Sequence, residues 1–499
     1  MTRLAPWALA LTIFAAMAIP AALVDQVEEV VLDNGMTFLL HRRGDAPVFS
    51  GVIRWNVGSV DEPNGLTGIA HMFEHMAFKG TTTMGTTDWE AERPVLEALN
   101  EAGTALVREK QRGVDADPDR VAELQAEYER LVEEHREFVV KDELDEIYSA
   151  AGAVGLNAGT GRDFTTYHVS MPSNALELWC LVESARIRDA VLREFYSERD
   201  VVYEERRLRT DTDPTGALVE ELLATAFLAH PYGEPTIGWP TDIENLTTAD
   251  AEIFFREHYA PVNACGAIVG DFDLEEGRAL VERHFGPIPA GDENRRVSTE
   301  EPAQRGVRQV AVEWEASPTV LVGFHKPNPP AHMDAVFDVM HAILTRGRSS
   351  RLYKRMVKEE QVVTAIDAFS FPGDKYPNLS CFYALPRAPH TSEEVEAMIY
   401  EELEKLKVEP VTEQELQRVR NQLDADFLRE RRSNMGLAQS LTYWHFIGGD
   451  WRLAEGWRDE LLSVTPKEIM EAASTYYVST NRTVGEIVPR ETADAEGGE

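Results

Sequence analysis

Cysteine is scarce in this 499-residue chain, which contains only Cys180, Cys265 and Cys381. At most one disulfide can form from three cysteines, so we do not expect folding to depend on disulfides. Each cysteine lies in an apolar stretch of sequence, which is typical of a buried free thiol. No pair has the C-x-x-C spacing, so the sequence gives no support to a cysteine-based zinc site.

Basic residues are also few. Lysine and arginine number 49 against 86 aspartates and glutamates, which leaves a formal net charge of −37. This excess of negative charge argues against nucleic acid and anionic membranes as partners, and it favours solubility. It also weakly favours basic peptides as substrates, although a solvated acidic surface explains the charge better.

Long apolar runs are missing outside the N-terminus, where Leu4 to Met17 is almost continuously apolar and follows Arg3. Small residues after this run offer cleavage sites, so we expect a signal peptide over 1–22. The mature protein is then expected to be exported, periplasmic or secreted, and not bound to a membrane. An uncleaved membrane anchor is the alternative, because the apolar stretch reaches Val24.

The rest of the chain shows one pattern twice. Each half contains a threonine, a tyrosine and an asparagine at the same relative spacing: Thr247, Tyr259 and Asn263, then Thr465, Tyr477 and Asn481. The two sets lie a plausible domain length apart. We therefore predict an N-terminal domain over 23–286, a Pro- and Gly-containing linker over 287–306, a C-terminal domain over 307–490 and a disordered acidic tail over 491–499.

Local patterns predict further elements in both halves. Asn34-Gly35 between two apolar runs is typical of a β-hairpin turn. Residues 96–150 carry apolar residues at helical spacing with a central break, which predicts a charged helical hairpin inserted in the N-terminal domain. A surface elaboration explains this insert best, and a gate over a cavity or a partner-binding element are the alternatives. Thr412 and Glu415 form a capping-box pattern at the start of a long helix.

The most informative segment is His71-Met72-Phe73-Glu74-His75. Residues three and four positions apart share one face of an α-helix, so His71, Glu74 and His75 point the same way. Two imidazoles at that spacing can hold one Zn²⁺, and the carboxylate beside them can take a proton from a water that the metal polarises. The alternative is a helix with two surface histidines. The apolar residues that flank the motif argue against surface histidines, because polar side chains packed into an apolar helix need partners.

The residues around this motif show a family resemblance. They include Gly58-Ser59, Glu62 and Lys79-Gly80-Thr81, then Leu156-Asn157-Ala158-Gly159-Thr160, and finally Glu198-Arg199-Asp200-Val201-Val202-Tyr203-Glu204-Glu205-Arg206. In this order they resemble the pitrilysin/insulinase family of inverzincin metallopeptidases, in its half-length type similar to the processing-peptidase β subunit. The resemblance implies an α+β fold of two tandem, structurally similar α/β-sandwich domains, the first catalytic and the second not.

The resemblance also implies the remaining site residues. A catalytic zinc needs three protein ligands, and with one zinc ion per chain the third ligand would be Glu205. Glu204 is an adjacent alternative that the sequence leaves open. Glu198 lies two helical turns earlier and would support the ligands, while Glu74 would act as general base.

The function that follows is a zinc-dependent endopeptidase acting on peptides or unfolded segments. The resemblance implies that Asn157, Ala158, Gly159 and Thr160 lie on a strand to which the substrate adds as a further β-strand. An ordinary core strand is the alternative. A peptide-binding or scaffold subunit with little activity of its own is the second functional hypothesis, and the complete motif argues against it.

A partner subunit is also implied. Members of the family close a chamber with a second half-molecule, so this chain would form a homodimer or a heterodimer with a non-catalytic relative. The family's substrate-clamping arginine and tyrosine are not placed by the sequence. Arg351 and Tyr353 are interpreted instead as the start of a helix packed within its own domain.

Overall fold

The computed structural model describes residues 23–490, so the predicted signal peptide and acidic tail lie outside the described residues. Two β-sheets, each covered by helices, follow one another along the chain. The predicted α+β class with two tandem units is confirmed. Among the described residues, neither helix nor strand falls between Phe285 and Arg308, where the chain passes from one sheet to the other.

Within residues 23–490 the first sheet has six strands in the order β1-β2-β6-β3-β5-β4. The first two strands form the predicted hairpin, and Gly35 adopts a φ of +85° at its turn. The Asn34 side chain is buried there and donates to the carbonyls of Phe285 and Ile288, which ties the turn to the end of the domain. The strands are β1 (Val27–Val31), β2 (Thr37–Arg42), β3 (Val48–Trp55), β4 (Val154–Thr160), β5 (Thr165–Pro172) and β6 (Ala264–Gly270).

The insert between the helix that carries the histidine motif and β4 is larger than the predicted hairpin. Its first helix begins at Trp89, before residue 96, because the Asp88 side chain caps it by accepting the N–H of Ala91. A third helix follows the packed pair of α2 and α3. The helices described in this domain are α1 (Ile69–Met76), α2 (Trp89–Gln111), α3 (Pro118–His135), α4 (Glu143–Ala150), α5 (Leu176–Arg188), α6 (Phe195–Arg206), α7 (Pro214–Ala226), α8 (Pro240–Asn245), α9 (Thr248–His258) and α10 (Leu274–Phe285).

A buried ion-pair network ties the insert to the domain. The Glu92 carboxylate on α2 accepts from Nε of Arg193 at 2.6 Å and pairs with Nε2 of His135, at the end of α3, at 2.9 Å. Arg193 also donates to the carbonyl of Met84. All three side chains are almost fully buried. Because Arg193 lies just before α6, the network fixes the insert against the start of that helix.

The second sheet has five strands among the described residues, in the order β7-β11-β8-β10-β9. They are β7 (Arg308–Trp314), β8 (Thr319–Lys326), β9 (Val363–Phe371), β10 (Asn378–Pro386) and β11 (Arg482–Pro489). The helices described with them are α11 (His332–Leu344), α12 (Ser392–Val408), α13 (Glu413–Arg432), α14 (Asn434–Ile447), α15 (Leu453–Ser463) and α16 (Pro466–Tyr476). The predicted capping box of Thr412 and Glu415 starts α13.

The two sheets share one topology. β2 is parallel to β6 as β7 is to β11, and the further strands β3, β5 and β4 match β8, β10 and β9 in antiparallel order. Thr247 and Thr465 cap α9 and α16 with capping boxes. Asn263 and Asn481 each donate to the last carbonyl of those helices. The repeated threonine, tyrosine and asparagine therefore mark equivalent ends of a duplicated unit.

One helix of each domain packs on the sheet of the other domain. α7 packs on β7 and β11 of the second sheet, where Leu218 and Leu222 are fully buried. α14 packs on β3 and β6 of the first sheet, where Leu437 and Leu441 are fully buried. Each of these contacts forms a hydrophobic cluster with residues of both domains, so residues of both domains can line one pocket.

Arg351 packs within the second domain, as predicted from the sequence. Its guanidinium donates to both carboxylate oxygens of Glu415, at 2.8 and 3.1 Å.

Among residues 23–490, the helices all lack the combination of length and apolar composition that crossing a membrane requires.

Candidate metal centre

Helix α1 carries the histidine motif and begins at a close backbone contact. Gly68 precedes it with a φ of +89°, and a Cβ there would lie 2.5 Å from the carbonyl oxygen of Ile237. Only glycine combines that dihedral angle with that contact. The buried Glu62 carboxylate accepts from the backbone N–H groups of Gly68 and Ala70, both at 2.8 Å. These bonds satisfy free N–H groups at the helix N-terminus, while burial raises the pKa of the Glu62 carboxyl.

Two imidazoles and one carboxylate converge beside this helix. Oε2 of Glu205 lies 3.8 Å from Nε2 of His71 and 3.5 Å from Nε2 of His75. One ligand atom from each of the three lies within 4.8 Å of the others. The structure therefore brings together the three residues predicted to hold the metal. Glu204, the alternative, is exposed and pairs with Arg207 at 2.9 Å.

This donor set fits a zinc ion. Two ligand atoms that are each about 2.1 Å from a tetrahedral zinc are about 3.4 Å apart. The distances of 3.5 and 3.8 Å from the Glu205 oxygen to the histidine nitrogens are close to that separation. Nη1 of Arg209 pairs with the other oxygen of Glu205 at 2.8 Å, so a single carboxylate oxygen faces the histidines. Two histidines and a glutamate leave the fourth zinc position to water or substrate.

Glu198 supports one of the two histidines. Its Oε2 lies 3.4 Å from Nδ1 of His75, and its Oε1 accepts from Nζ of Lys79. A carboxylate on the far nitrogen of a metal-binding histidine fixes the orientation of the ring. The supporting role predicted for Glu198 thus has a geometric basis. His71 differs, because its Nδ1 is buried without a hydrogen-bond partner among residues 23–490.

The two imidazoles have different protonation preferences. Burial and the neighbouring His75 lower the pKa of His71 to about 4, so this ring is neutral at neutral pH. Burial also opposes charge on His75, but hydrogen bonds to Glu198 and Glu205 outweigh it and raise the pKa of His75 to about 9. Metal ligation needs the neutral ring, so binding of a metal ion would require His75 to lose a proton.

Glu74 faces the same space from α1. The hydroxyl of Thr160 donates to Oε2 of Glu74 at 2.6 Å. Burial raises the pKa of the Glu74 carboxyl, and the hydrogen bond from Thr160 opposes that rise. A partly buried carboxyl of this kind is suited to accept a proton and release it again. Sequence reasoning placed Thr160 only with the substrate and missed this contact.

β4 forms an edge of the first sheet, beyond β5. Most of its residues are exposed and none is buried, which does not fit the alternative of an ordinary core strand. Asn157 and Ala158 stand opposite His168 and Tyr167 in the register with β5. A Cβ on Gly159 would meet nothing within 4 Å, which shows open space beside the strand. Substrate binding by these residues stays a prediction.

Two family models match the chain. The model described as Insulinase (Peptidase family M16) matches residues 49–104, which contain α1, and the model described as Peptidase M16 inactive domain matches residues 245–423. The chain belongs to the insulinase family of peptidases. The family predicted from the sequence is thus confirmed. The first match contains the histidine motif, and the second begins within the first domain and continues into the second domain.

Known relatives of this insulinase-family chain include zinc proteases. The zinc protease PqqE of Helicobacter pylori is 26% identical over 470 residues, which are 91% of each chain. A solved protease structure from Helicobacter pylori has a TM-score of 0.77 and 25% identity, and it aligns with 93% of this chain and 99% of its own. The periplasmic protease PqqL from Escherichia coli shares the fold at a TM-score of 0.68 and 16% identity. The alignment covers 93% of this chain and 48% of PqqL, so the chain spans about half the length of that protein.

Sequence reasoning assigned no role to three contributors to the site. Glu62 holds the start of α1, Lys79 pairs with Glu198, and Arg209 pairs with Glu205. Lys79 is four residues after the second histidine of the motif, and Arg209 is four residues after Glu205. Helical neighbours at that spacing interact, so the spacing was an available signal for Arg209, whereas Lys79 lies beyond the end of α1.

Proposed function

We propose that this chain is a zinc-dependent endopeptidase that hydrolyses peptides or unfolded polypeptide segments. The observation that carries the proposal is the convergence of His71, His75 and Glu205 on one point beside the carboxyl of Glu74. These groups supply three metal ligands, a proton acceptor and room for a reacting group, which together are the requirements of metal-assisted hydrolysis. The names of its relatives as zinc proteases support the same activity.

The chemistry divides between the metal and the chain. Bound zinc supplies Lewis acidity toward water and the peptide carbonyl. Glu74 accepts the proton of the attacking water and then delivers it to the leaving amine. Thr160 holds one Glu74 oxygen by a hydrogen bond, so the carboxylate keeps its orientation through the reaction. Glu198 holds the ring of His75 in the same way.

The edge strand β4 is the proposed substrate platform. An extended peptide that adds to it would gain affinity from main-chain hydrogen bonds, while side-chain pockets would give selectivity. Asn157, Ala158 and Gly159 would lie beside the peptide. Thr160 ends the strand at the Glu74 carboxylate, so a peptide along β4 is led toward the metal centre.

Assembly and location are further parts of the proposal. We propose that a second half-molecule closes the chamber, in a homodimer or in a heterodimer with a non-catalytic relative, because the chain spans about half of PqqL. Export to the periplasm or the medium is proposed from the apolar N-terminal run and its small residues.

A peptide-binding subunit with little activity of its own is the second candidate function. The match of residues 245–423 to a model named for an inactive domain favours it. That match lies outside α1 and α6, which carry the proposed catalytic and ligand residues. We therefore place it second.

Cleavage of a quenched fluorescent peptide library by the purified mature chain tests the proposal. We expect cleavage by the wild type and by Glu204→Gln, a control that removes an exposed carboxylate next to the site. We expect none with a chelator or in Glu74→Gln. A folded, zinc-loaded wild type that cuts no peptide, alone or mixed with candidate partner subunits, contradicts the peptidase and supports the binding subunit.

A further inference from the structure

A pocket opens between the two domains beside the metal centre. Its volume is about 350 Å³, and His71 and Thr160 lie on its wall, so a group bound there would lie next to the reacting bond. Part of its lining is apolar and comes from α7, from the loop before α8 and from the end of β9. These apolar residues are Val219, Leu223, Pro235, Ile237, Phe371 and Pro372.

Arg162 is the unusual residue of this pocket. Its side chain is only 8% exposed, and its Nη1 is buried without a hydrogen-bond partner among residues 23–490. Buried cations in proteins are normally paired with a carboxylate or another acceptor. The cost of burial lowers the pKa of Arg162 to about 10 despite the attraction of Glu62 nearby. A buried guanidinium with an unused donor is suited to an anion from outside the protein.

The nearby carboxylates are engaged by other partners. Glu62 accepts from the backbone at the start of α1. Asp163 accepts from the Tyr232 hydroxyl at 2.6 Å and from the backbone N–H groups of Asp374 and Lys375 at 2.6 and 3.1 Å. These bonds latch the loop after β9 onto the first domain, and so they hold the second-domain wall of the pocket in place.

The remaining charges of the pocket are positive on balance. Glu220 is the acidic residue among the described lining residues, and both its oxygens accept from Arg206, at 2.8 and 2.9 Å. Arg209 adds a second, mostly exposed guanidinium to the lining, and this guanidinium is also paired with Glu205 at 2.8 Å. The pocket thus combines an apolar lining with two arginines, in a chain whose formal net charge is −37.

We propose that this pocket binds a carboxylate of the peptide substrate, with the aliphatic stem of the bound group on the apolar lining and its charge on Arg162. A glutamate side chain or the C-terminus of the peptide can supply that carboxylate. The inference rests on the proposed peptidase function and specifies its substrate class. It replaces the weak preference for basic peptides that the net charge alone suggests.

The test uses one neutral, C-terminally amidated peptide in which Glu, Gln, Leu or Lys occupies each position in turn. Mass spectrometry of the products locates the cut relative to the substituted residue. We expect kcat/KM for Glu to exceed that for Gln by about tenfold at one fixed position, because hydrogen bonds between ionised partners are stronger than neutral ones. The same peptide with a free C-terminal carboxylate tests the second source. A preference for the free acid alone assigns the pocket to the chain terminus.

Arginine variants connect the preference to the pocket. Arg162→Leu is expected to abolish the advantage of the carboxylate, and Arg162→Lys to retain part of it. Arg207→Leu is the matched control, because Arg207 is an exposed arginine on the same helical segment as Arg209 and lies outside the pocket. It should leave the ratio of Glu to Gln unchanged.

A binding measurement separates this inference from the peptidase proposal. Fluorescence anisotropy gives the affinity of the same peptides for Glu74→Gln, in which no turnover is expected. Tighter binding of the carboxylate peptide to Glu74→Gln than to the double variant with Arg162→Leu supports the pocket even if the wild type cleaves nothing. Equal kcat/KM and equal affinity for Glu, Gln and Leu at all positions overturn it. A carboxylate preference that persists in a folded Arg162→Leu chain also overturns the proposal. If Arg162→Leu does not fold, the proposal is judged from the preference of the wild type and of Arg162→Lys.

Discussion

Replacing Thr160 by valine tests how the chain controls its proposed general base. The substitution keeps the shape of the side chain and removes the hydroxyl that donates to Oε2 of Glu74 at 2.6 Å. The neighbouring Thr165 hydroxyl lies 3.4 Å from Thr160 and also donates to the carbonyl of Val57, so Thr165 keeps a partner. The perturbation is therefore confined to the support of one carboxylate.

The size of the effect follows from the bond that is lost. A hydrogen bond to a charged group contributes about 1.5–3 kcal/mol. If the bond orients Glu74 throughout the reaction, its loss lowers kcat by roughly 10- to 100-fold. Thr160→Ser keeps a hydroxyl and is expected to retain most of the activity.

The assay is steady-state hydrolysis of one fluorogenic peptide, with kcat and KM measured separately for the wild type and both variants. Zinc content and Tm are measured in parallel, and both should remain near the wild-type values. A Thr160→Val enzyme with wild-type kcat would refute the positioning role. A rise in KM at unchanged kcat would instead support the substrate-binding role predicted from the sequence.

Three further predictions concern stability and metal affinity. Burial opposes charge on Glu92, but hydrogen bonds from His135 and Arg193 outweigh it and lower its pKa to about 2. Its contribution of about 3 kcal/mol is complete above about pH 4.5 and is lost as the pH falls toward 2. Tm measured as a function of pH should fall in this range for the wild type and not for Glu92→Gln. Parallel curves of Tm against pH for the two proteins would contradict the stabilising role of the Glu92 carboxylate. Gly373→Ala places a Cβ 2.5 Å from the Asp163 carboxylate oxygen that accepts from the loop after β9. It should lower the free energy of unfolding by about 1–3 kcal/mol in a denaturant titration. An unchanged midpoint would count against a stabilising role of this Asp163 contact. Glu198→Gln should weaken zinc binding about 10- to 100-fold in competition with a chelator. Glu194→Gln is the control, because Glu194 lies 3.7 Å from the same Lys79, and it should leave the affinity unchanged. Equal affinities of the two variants would contradict the supporting role of Glu198.

Sequence patterns predicted those parts of the site whose residues are close together in the chain. His71, Glu74 and His75 lie on one helix, and helical spacing alone places them on one face. The Asn34-Gly35 turn and the repeated helix caps depend on short-range geometry in the same way. Such features leave a readable pattern because each partner lies within a few residues of the other.

Contacts between distant segments left no such pattern. Glu205 was placed beside the histidines by family resemblance, and in the structure the Glu204 side chain turns away from them and pairs with Arg207. The Asp163 latch joins residues that are 211 positions apart, and its acceptors bind backbone N–H groups, which do not depend on side-chain identity. The early start of α2 depends on a single capping residue, Asp88, outside the apolar repeat.

The most direct test of the account is the zinc content of the wild type, Glu205→Gln and Glu204→Gln, measured by mass spectrometry of the metal after exhaustive dialysis. The two variants change adjacent carboxylates on one helix, so they share the change in charge and differ in position. We predict about one zinc per chain in the wild type and in Glu204→Gln, and little in Glu205→Gln, because a site that loses one of three ligands binds zinc far more weakly. Equal zinc content in the two variants, or loss in Glu204→Gln alone, would contradict the proposed metal centre.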